Sequence, residues 1–199
     1  MNHSIKFQRE VINLDGFTKD DTTIFSIDMN NGFAKAGKLY SKRVEALIGP
    51  TVEFFELAKA SGIKIIGITD KHNADSIELD TFPTHCIANT SECEIVDELK
   101  GFMDMIVTKN STNCFFAIEP NYESGHKYII TGCCTDICVF QFATTLKAYL
   151  NQHNMRSRVI VPENLVDTFD TPGHPAESIN RTFLASMKSN GIEVYPKII

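Results

Sequence analysis

The fold is indicated most clearly by one stretch, KYIITGCCTDICVFQFATTLKAYL (residues 127–150). It opens with an apolar run that reads as a β-strand and closes with a helical run. The turn between them holds three cysteines, Cys133, Cys134 and Cys138. Open α/β proteins bind their ligands where the carboxyl end of a strand turns into a helix, so this turn is the first candidate for chemistry.

The rest of the chain repeats the alternation of β-rich and amphipathic runs, which is the pattern of a parallel sheet covered by helices. We predict an α/β fold with an open, mainly parallel six-stranded sheet and helices on both faces. The predicted strands are residues 22–29, 63–69, 104–108, 127–133, 158–162 and 192–195. The predicted helices lie between the first two strands, where Pro50 starts or kinks the helix, and at 139–150 and 175–190.

Length and composition indicate one globular domain. A chain of 199 residues, 43% hydrophobic and 22% charged, can bury a core without disulfides. No repeat or linker interrupts the pattern. We therefore predict a single domain over residues 22–199, preceded by a surface-packed extension over residues 1–21.

Charge and cysteine content bear on partners and location. The net charge is −6 and the basic residues form no cluster, which argues against nucleic acid and anionic membranes as partners. The N-terminal residues lack the apolar core of a signal peptide, and no run reaches membrane-spanning length. The six cysteines are expected to be reduced thiols in a cytoplasmic protein.

Polar residues stand at the ends of four successive predicted strands. Asp28 ends the first strand, Asp70 and His72 follow the second, Lys109 follows the third, and the cysteine turn follows the fourth. Each of these residues also has an ordinary structural explanation. Asp28 could be a helix cap and Lys109 a solvated loop lysine, and each of these roles is at least as common as a catalytic one. Parallel strands present their carboxyl ends at one edge, so the coincidence of all four favours a site.

Cys138 is the candidate nucleophile among the three cysteines. A reactive thiol needs a lowered pKa and access. Cys138 falls in the first turn of the following helix, where backbone N–H groups and the helix dipole favour an anion, and Lys109 could add positive charge. Cys133 and Cys134 are expected to be buried and inert, and strained geometry disfavours them as a redox pair. A buried, structural Cys138 is the alternative.

A second candidate set contains Asp70, His72 and His85. A carboxylate and two imidazoles suit zinc, manganese or iron(II), and three protein ligands leave positions open for water or substrate. We predict one divalent ion, zinc first, with His85 brought over the strand ends by its Pro-containing loop. The other histidines, interpreted as surface or structural residues, are His3, His126, His153 and His174.

Three segments resemble the signature segments of the isochorismatase-like cysteine hydrolases. They are FSIDMNNGF (25–33), VTKNSTNCFF (107–116) and GCCTDICV (132–139). TDKHN followed by FPTHCIANTSECEIVDEL (69–73 and 82–99) is similar to the metal-site segment of the nicotinamidase branch. The resemblance runs in order from about Thr22 to the C-terminus and implies a three-layer αβα fold.

The resemblance also implies roles for individual residues. Asp28, Lys109 and Cys138 would form a catalytic triad. A cis peptide bond would join Cys133 to Cys134, and the N–H groups of Cys134 and Cys138 would form the oxyanion hole. The implied metal ligands are Asp70, His72 and His85, and the implied neighbours of the substrate ring are Phe33 and Phe82.

The segments also depart from the family pattern at three places. No histidine follows His72 to act as a fourth ligand, so Asp75, Ser76, Glu78 or water would fill that position. Phe82 stands where a tryptophan is common, and Asn30 stands where a glutamine is common. These departures bear on the substrate more than on the reaction.

The function implied by the resemblance is hydrolysis of a small carboxamide, nicotinamide first, as in NAD salvage, through a thioester on Cys138 in a homo-oligomeric enzyme. Three alternatives remain open. The same triad could act on another small amide or ureido compound, with the metal site vestigial. Asp70 and His72 could hold a metal that activates water, with Cys138 structural. The domain could also be an inactive scaffold or subunit.

Overall fold

The computed structural model describes residues 11–118 and 122–199, and within them it has a mainly parallel α/β sheet, as predicted. All six predicted strands are present, most with bounds within one residue of the prediction. The strands are β1 (Thr22–Ile27), β2 (Lys64–Asp70), β3 (Met105–Lys109), β4 (Lys127–Cys133), β5 (Arg158–Pro162), β6 (Val166–Asp167) and β7 (Glu193–Tyr195).

The prediction of six strands missed the short strand β6. The main sheet has the order β3-β2-β1-β4-β5-β7, with every pair parallel, and β6 pairs with β4 beyond the end of β5. Because β6 has only two residues and directly follows the 3₁₀ turn Glu163–Leu165, its sequence is too short to show an alternating pattern.

The helices cover both faces of the sheet. Pro50 lies in the first turn of the long helix before β2, where its missing N–H costs no hydrogen bond. Leu47 separates this helix from the short helix that precedes it. None of the helices described is long and apolar enough to cross a membrane. The helices are α1 (Asn31–Ala34), α2 (Lys42–Ala46), α3 (Ile48–Ala60), α4 (Asp97–Lys100), α5 (Phe140–Gln152) and α6 (Ala176–Ser189).

The sheet separates two apolar layers. On one face, α3 packs Phe54 and Phe55 with side chains of β1 and β2; on the other face, α5 packs Phe142 and Leu146. Successive residues of each strand point into opposite layers. Both layers are apolar, which explains why the strands do not alternate between apolar and polar residues. This is the three-layer αβα arrangement implied by the resemblance.

The segment before β1 contacts the body of the domain where the structure describes it. Ile12 exchanges backbone hydrogen bonds with Lys197 and Ile199 at the C-terminus, and the Phe17 side chain is buried. Residues 1–10 of the predicted extension lie outside the described residues, and the division of the chain at residue 21 stays a prediction.

The strand register aligns the polar residues at one edge. Asp70 of β2 stands opposite Lys109 of β3, and Ile27 of β1 stands opposite Gly132 of β4. Asp28, Asp70, Lys109 and the cysteine turn therefore leave the sheet at the same level, as the sequence predicted for parallel strands.

Gly132 allows β1 and β4 to approach each other at this edge. Its φ is +106°, and a Cβ there would lie 2.0 Å from the carbonyl oxygen of Ile27. A side chain at this position would therefore meet both an unfavourable backbone conformation and the neighbouring strand.

We predict that Gly132→Ala lowers the free energy of unfolding by more than about 3 kcal/mol, because the backbone of β1 cannot move away without breaking the ladder. Urea unfolding measures this. Gly49→Ala is the control, since a Cβ at Gly49 of α3 meets nothing within 4 Å and alanine is the better helix former. A Gly132→Ala variant as stable as the wild type would show that the strand ends can separate.

Candidate active site

Lys109 is the centre of a buried polar cluster at the carboxyl edge of the sheet. Its Nζ lies 2.9 Å from Oδ2 of Asp28, donates a hydrogen bond to Oδ1 of Asp70, and lies 3.7 Å from Sγ of Cys138. All four side chains are buried. The structure thus brings together the three residues predicted as a triad and adds Asp70 to them.

Asp28 is held in an unusual backbone conformation at the end of β1. Its φ is +53°, in the left-handed region that non-glycine residues enter rarely and that recurs at functional sites. Its backbone N–H donates to the carbonyl of Ile68, which fixes it against β2. Its carboxylate oxygen Oδ1 has no hydrogen-bond partner among the described residues, so one oxygen can accept a proton.

Cys138 lies in a π-helical turn, Thr135–Val139, which runs directly into α5. The sequence predicted the first turn of an α-helix here, whereas the structure has a wider π-helical turn. Such turns are frequent at functional sites. The peptide bond between Cys133 and Cys134 is cis, as the resemblance implied. Cys133, Cys134 and Cys138 all line one cavity, but only Cys138 has its sulfur beside Lys109.

The pKa values in the cluster differ from the sequence expectation of an acidic thiol. Burial raises the pKa of the Cys138 thiol well above its usual range, and the nearby Lys109 lowers it less than burial raises it. Burial, followed by the charge of Asp70, raises the pKa of Asp28 to about 7, against the opposing effect of Lys109. In the resting protein the thiol therefore holds its proton, and Asp28 can act as a proton acceptor because its pKa is close to neutral pH.

Asp70 differs from Asp28 in its partners. Burial would raise the pKa of Asp70, but the Lys109 ammonium and the nearby imidazoles of His72 and His85 hold that pKa well below its usual range. Asp70 is consequently a permanent anion in the cluster.

Asp70, His72 and His85 form a buried group whose ligand atoms lie within 4.8 Å of one another. Nε2 of His72 lies 3.6 Å, and Nε2 of His85 lies 3.7 Å, from the Asp70 carboxylate. His72 and the loop carrying His85 are joined by backbone hydrogen bonds, from His72 N to Cys86 O (2.9 Å) and from Ala88 N to His72 O (2.8 Å). The predicted fold-back of this loop is present.

The chemistry of this group fits a divalent metal. The Pro83 carbonyl accepts a hydrogen bond from Nδ1 of His85 (2.7 Å), and Nδ1 of His72 lies 3.1 Å from Oδ1 of Asn110. Both rings are thereby oriented with Nε2 inward, as metal-bound imidazoles usually are. Nε2 of His72 is buried and has no hydrogen-bond partner in the described part of the chain, which an ion would supply.

A cavity of about 750 Å³ opens over both groups. Phe33 and Phe82, the predicted neighbours of a substrate ring, both line it, and their rings lie 5.6 and 6.3 Å from the His85 ring. Glu78 also lines the cavity but accepts a hydrogen bond from Thr112 N and stands outside the three-residue group.

The far wall of the cavity was not found by sequence reasoning. It comes from two segments, residues 38–43 and residues 169–171. Arg43 ties them together through ion pairs with Asp167 (3.0 Å) and Glu177 (2.8 Å). No local pattern marks these residues, because only the packing of α2 against β6 and α6 places them here.

Comparisons with known proteins agree with this fold. Nicotinamidase 1 of Arabidopsis thaliana is 27% identical over 207 residues, covering 86% of this chain and 84% of the relative. The crystal structure of a pyrazinamidase of Pyrococcus horikoshii in complex with zinc is 23% identical, with a TM-score of 0.65, over 87% of this chain and 98% of the other. An N-carbamoylsarcosine amidase from Thermoplasma acidophilum is 21% identical, with a TM-score of 0.69, over 88% and 95%.

The sheet order and the residues at its carboxyl edge define an open, mainly parallel α/β fold with a buried thiol, a lysine and two carboxylates at that edge. A model of the isochorismatase domain matches residues 22–194, and the chain therefore belongs to the isochorismatase domain family. The family and the hydrolase class predicted from the sequence are confirmed.

We predict that Asp28→Asn flattens the pH dependence of stability. With a pKa of about 7 in place of 3.8, folded Asp28 keeps a proton that the unfolded chain releases near pH 4. The wild type therefore loses stability as the pH rises from about 4 to about 7, by up to about 4 kcal/mol, and the asparagine variant does not. Urea unfolding from pH 4.5 to 8 measures this, with the exposed Asp20→Asn as control. Parallel curves for wild type and Asp28→Asn would contradict the raised pKa.

Proposed function

We propose that this protein is a cysteine amidohydrolase that cleaves a small carboxamide, nicotinamide first, to the acid and ammonia. The observation that carries the proposal is the position of one ammonium, Lys109 Nζ, 2.9 Å from the Asp28 carboxylate and 3.7 Å from the Cys138 sulfur. A base, a thiol and a cation in one buried cluster are the groups that nucleophilic attack on an amide requires. The similarity to a nicotinamidase supports the choice of substrate.

The first half of the reaction forms a thioester. Asp28 takes the proton of the Cys138 thiol as the sulfur attacks the carboxamide carbon, and Lys109 balances the charge that develops. The backbone N–H groups of Cys134 and Cys138 hold the oxyanion, an interaction whose removal costs about 3–4 kcal/mol in comparable sites. Asp28 then returns its proton to the departing nitrogen, and ammonia leaves.

The second half releases the acid. Asp28, again a carboxylate, takes a proton from water as the water attacks the thioester carbonyl, and the proton returns to the sulfur of Cys138. A pKa of about 7 suits Asp28 to both directions of transfer, since a group titrating near the working pH can both take and give a proton.

The metal group has a role in binding under this proposal. Asp70, His72 and His85 would hold one divalent ion, zinc first; when bound, the ion would supply a Lewis acid to the substrate's ring nitrogen and so orient the carboxamide toward Cys138. Phe33 and Phe82 would flank the ring from the sides of the cavity. The cytoplasmic location and the homo-oligomer stay predictions.

A second candidate keeps the same thiol chemistry with another small amide or ureido substrate. It is favoured by the size of the cavity, about 750 Å³, which exceeds what a single pyridine ring needs, and by the similarity to an N-carbamoylsarcosine amidase. A panel of carboxamides and ureido acids, scored for ammonia release, separates the two candidates.

We predict that Cys138→Ala lowers the rate of ammonia release from nicotinamide by at least about 1,000-fold, because among the described residues Cys138 is the thiol whose sulfur contacts Lys109 Nζ. Cys133→Ala and Cys134→Ala are the matched controls, since each removes a thiol from the same cavity and keeps the backbone N–H groups. Both controls should keep most of the activity, and thermal unfolding should show all three variants folded. Retention of activity by Cys138→Ala would reject the mechanism.

We predict a split result for removal of the metal. After chelation, or in His72→Ala, nicotinamide turnover should fall by at least about 100-fold, while iodoacetamide should still label Cys138 at a near-normal rate. Benzamide, which lacks the ring nitrogen, should be a poor substrate with or without metal. Metal analysis of the purified protein should find about one ion per chain. Full nicotinamide turnover by metal-free protein would overturn the assignment of this site.

A further inference from the structure

His174 lies between the turn that carries Cys138 and a loop that lines the cavity. Its Nε2 is 2.8 Å from Oδ2 of Asp136, which belongs to the π-helical turn Thr135–Val139. Its Nδ1 is 3.0 Å from the backbone carbonyl oxygen of Phe169. The sequence analysis interpreted His174 as a surface or structural residue, and these two contacts give it a more specific position.

Both nitrogens of the His174 ring face acceptors. A backbone carbonyl can only accept, and the carboxylate of Asp136 already takes the Thr168 hydroxyl on its other oxygen, at 2.6 Å. Imidazole donates from both nitrogens only when it is doubly protonated. The contacts therefore fit a doubly protonated ring. Burial lowers the pKa of His174, but the hydrogen bonds to Asp136 and to Phe169 outweigh it and raise the pKa above its ordinary value.

The loop from Thr168 to Pro175, which we call the cavity loop, depends on this ring. Phe169 stacks on it, with the ring centroids 3.9 Å apart and an angle of 11° between the planes. Thr171 and His174 exchange backbone hydrogen bonds of 3.1 and 2.9 Å. Phe169, Asp170 and Thr171 line the cavity. His174 thus connects an aromatic wall of the cavity to the turn that holds the nucleophile.

Two other charged groups at the cavity loop, Asp170 and Arg43, already have partners. Asp170 accepts a hydrogen bond from Ala176 N at the start of α6 (3.0 Å), and Arg43 of α2 is paired with both Asp167 and Glu177. Asp136 is consequently the charged group that faces the His174 ring. Loss of one ring proton would remove one of the two hydrogen bonds of the His174 ring, either to Asp136 or to the Phe169 carbonyl. Phe169 would then no longer be connected through this ring to the turn that carries Cys138.

We propose that His174, as an imidazolium, is a positioning residue that holds Phe169 in place as the aromatic wall against which the substrate ring packs. The kinetic side of this inference rests on the proposed amidohydrolase function, and its structural side does not.

The kinetic test compares His174→Gln and His174→Ala with the wild type. Glutamine can still donate to Asp136 but cannot stack on Phe169 or titrate. The KM for nicotinamide should rise about 10-fold in His174→Gln and more in His174→Ala, with kcat within about threefold in both. As the pH passes the pKa of His174, the KM should rise more in the wild type than in His174→Gln, because the titration of Asp28 is common to both proteins. His153→Gln, at an exposed histidine outside the cavity lining, is the control.

A second test needs no substrate. The chain contains no tryptophan, so Phe169→Trp introduces a single indole on the His174 ring. Contact with a protonated imidazole quenches indole emission, so the fluorescence should increase as the pH rises through the pKa of His174. This increase should be absent in the double variant Phe169→Trp, His174→Gln.

The two tests separate the inference from the proposed function. If no carboxamide is turned over while the fluorescence titration depends on His174, the substrate assignment fails and the positioning role holds. A titration that persists without His174, a flat titration in Phe169→Trp, or an unchanged KM in His174→Gln with an active enzyme would each overturn the positioning role.

Discussion

The ammonium of Lys109, buried between two carboxylates and a thiol, is the interaction on which the rest of the site depends. A buried charge left without its partner costs about 3–5 kcal/mol, so the two aspartates and the lysine are tolerated at the end of the sheet only together. With one cation for two acids, the pair cannot ionise equally. Asp70, which also contacts two histidines, keeps its charge, and Asp28, with fewer partners, is left with a pKa of about 7.

Asp70 links the two halves of the site. Oδ1 of its carboxylate contacts Lys109 Nζ and lies 3.6 Å from Nε2 of His72, and Oδ2 lies 3.7 Å from Nε2 of His85. The register of β2 against β3 sets this arrangement directly, since Asp70 and Lys109 are partners in the ladder. The separation of Asp70 and Lys109 is therefore determined by backbone pairing, which is rigid, rather than by loop packing.

Sequence patterns predicted most of the fold and the site residues that stand at the ends of the strands. Six strands and the long helices follow from apolar periodicity, and residue type at the strand ends indicated Asp28, Asp70, Lys109 and Cys138. Other features could not be predicted in this way. The strand β6 is too short to carry a period, the acidic thiol expected from the helix dipole is outweighed by burial, and His174 carries no motif.

The sequence by itself determined which chemical groups are present, and, through the parallel order of its strands, that they leave the sheet at one edge. Only the tertiary structure decided what each group does to its neighbours. Burial raises the pKa of Asp28 and of Cys138. The packing of α2 and the cavity loop over the strand ends forms the far wall of the cavity. The physical reason is that protonation and cavity shape depend on desolvation and on contacts between residues far apart in the chain, which no local pattern records.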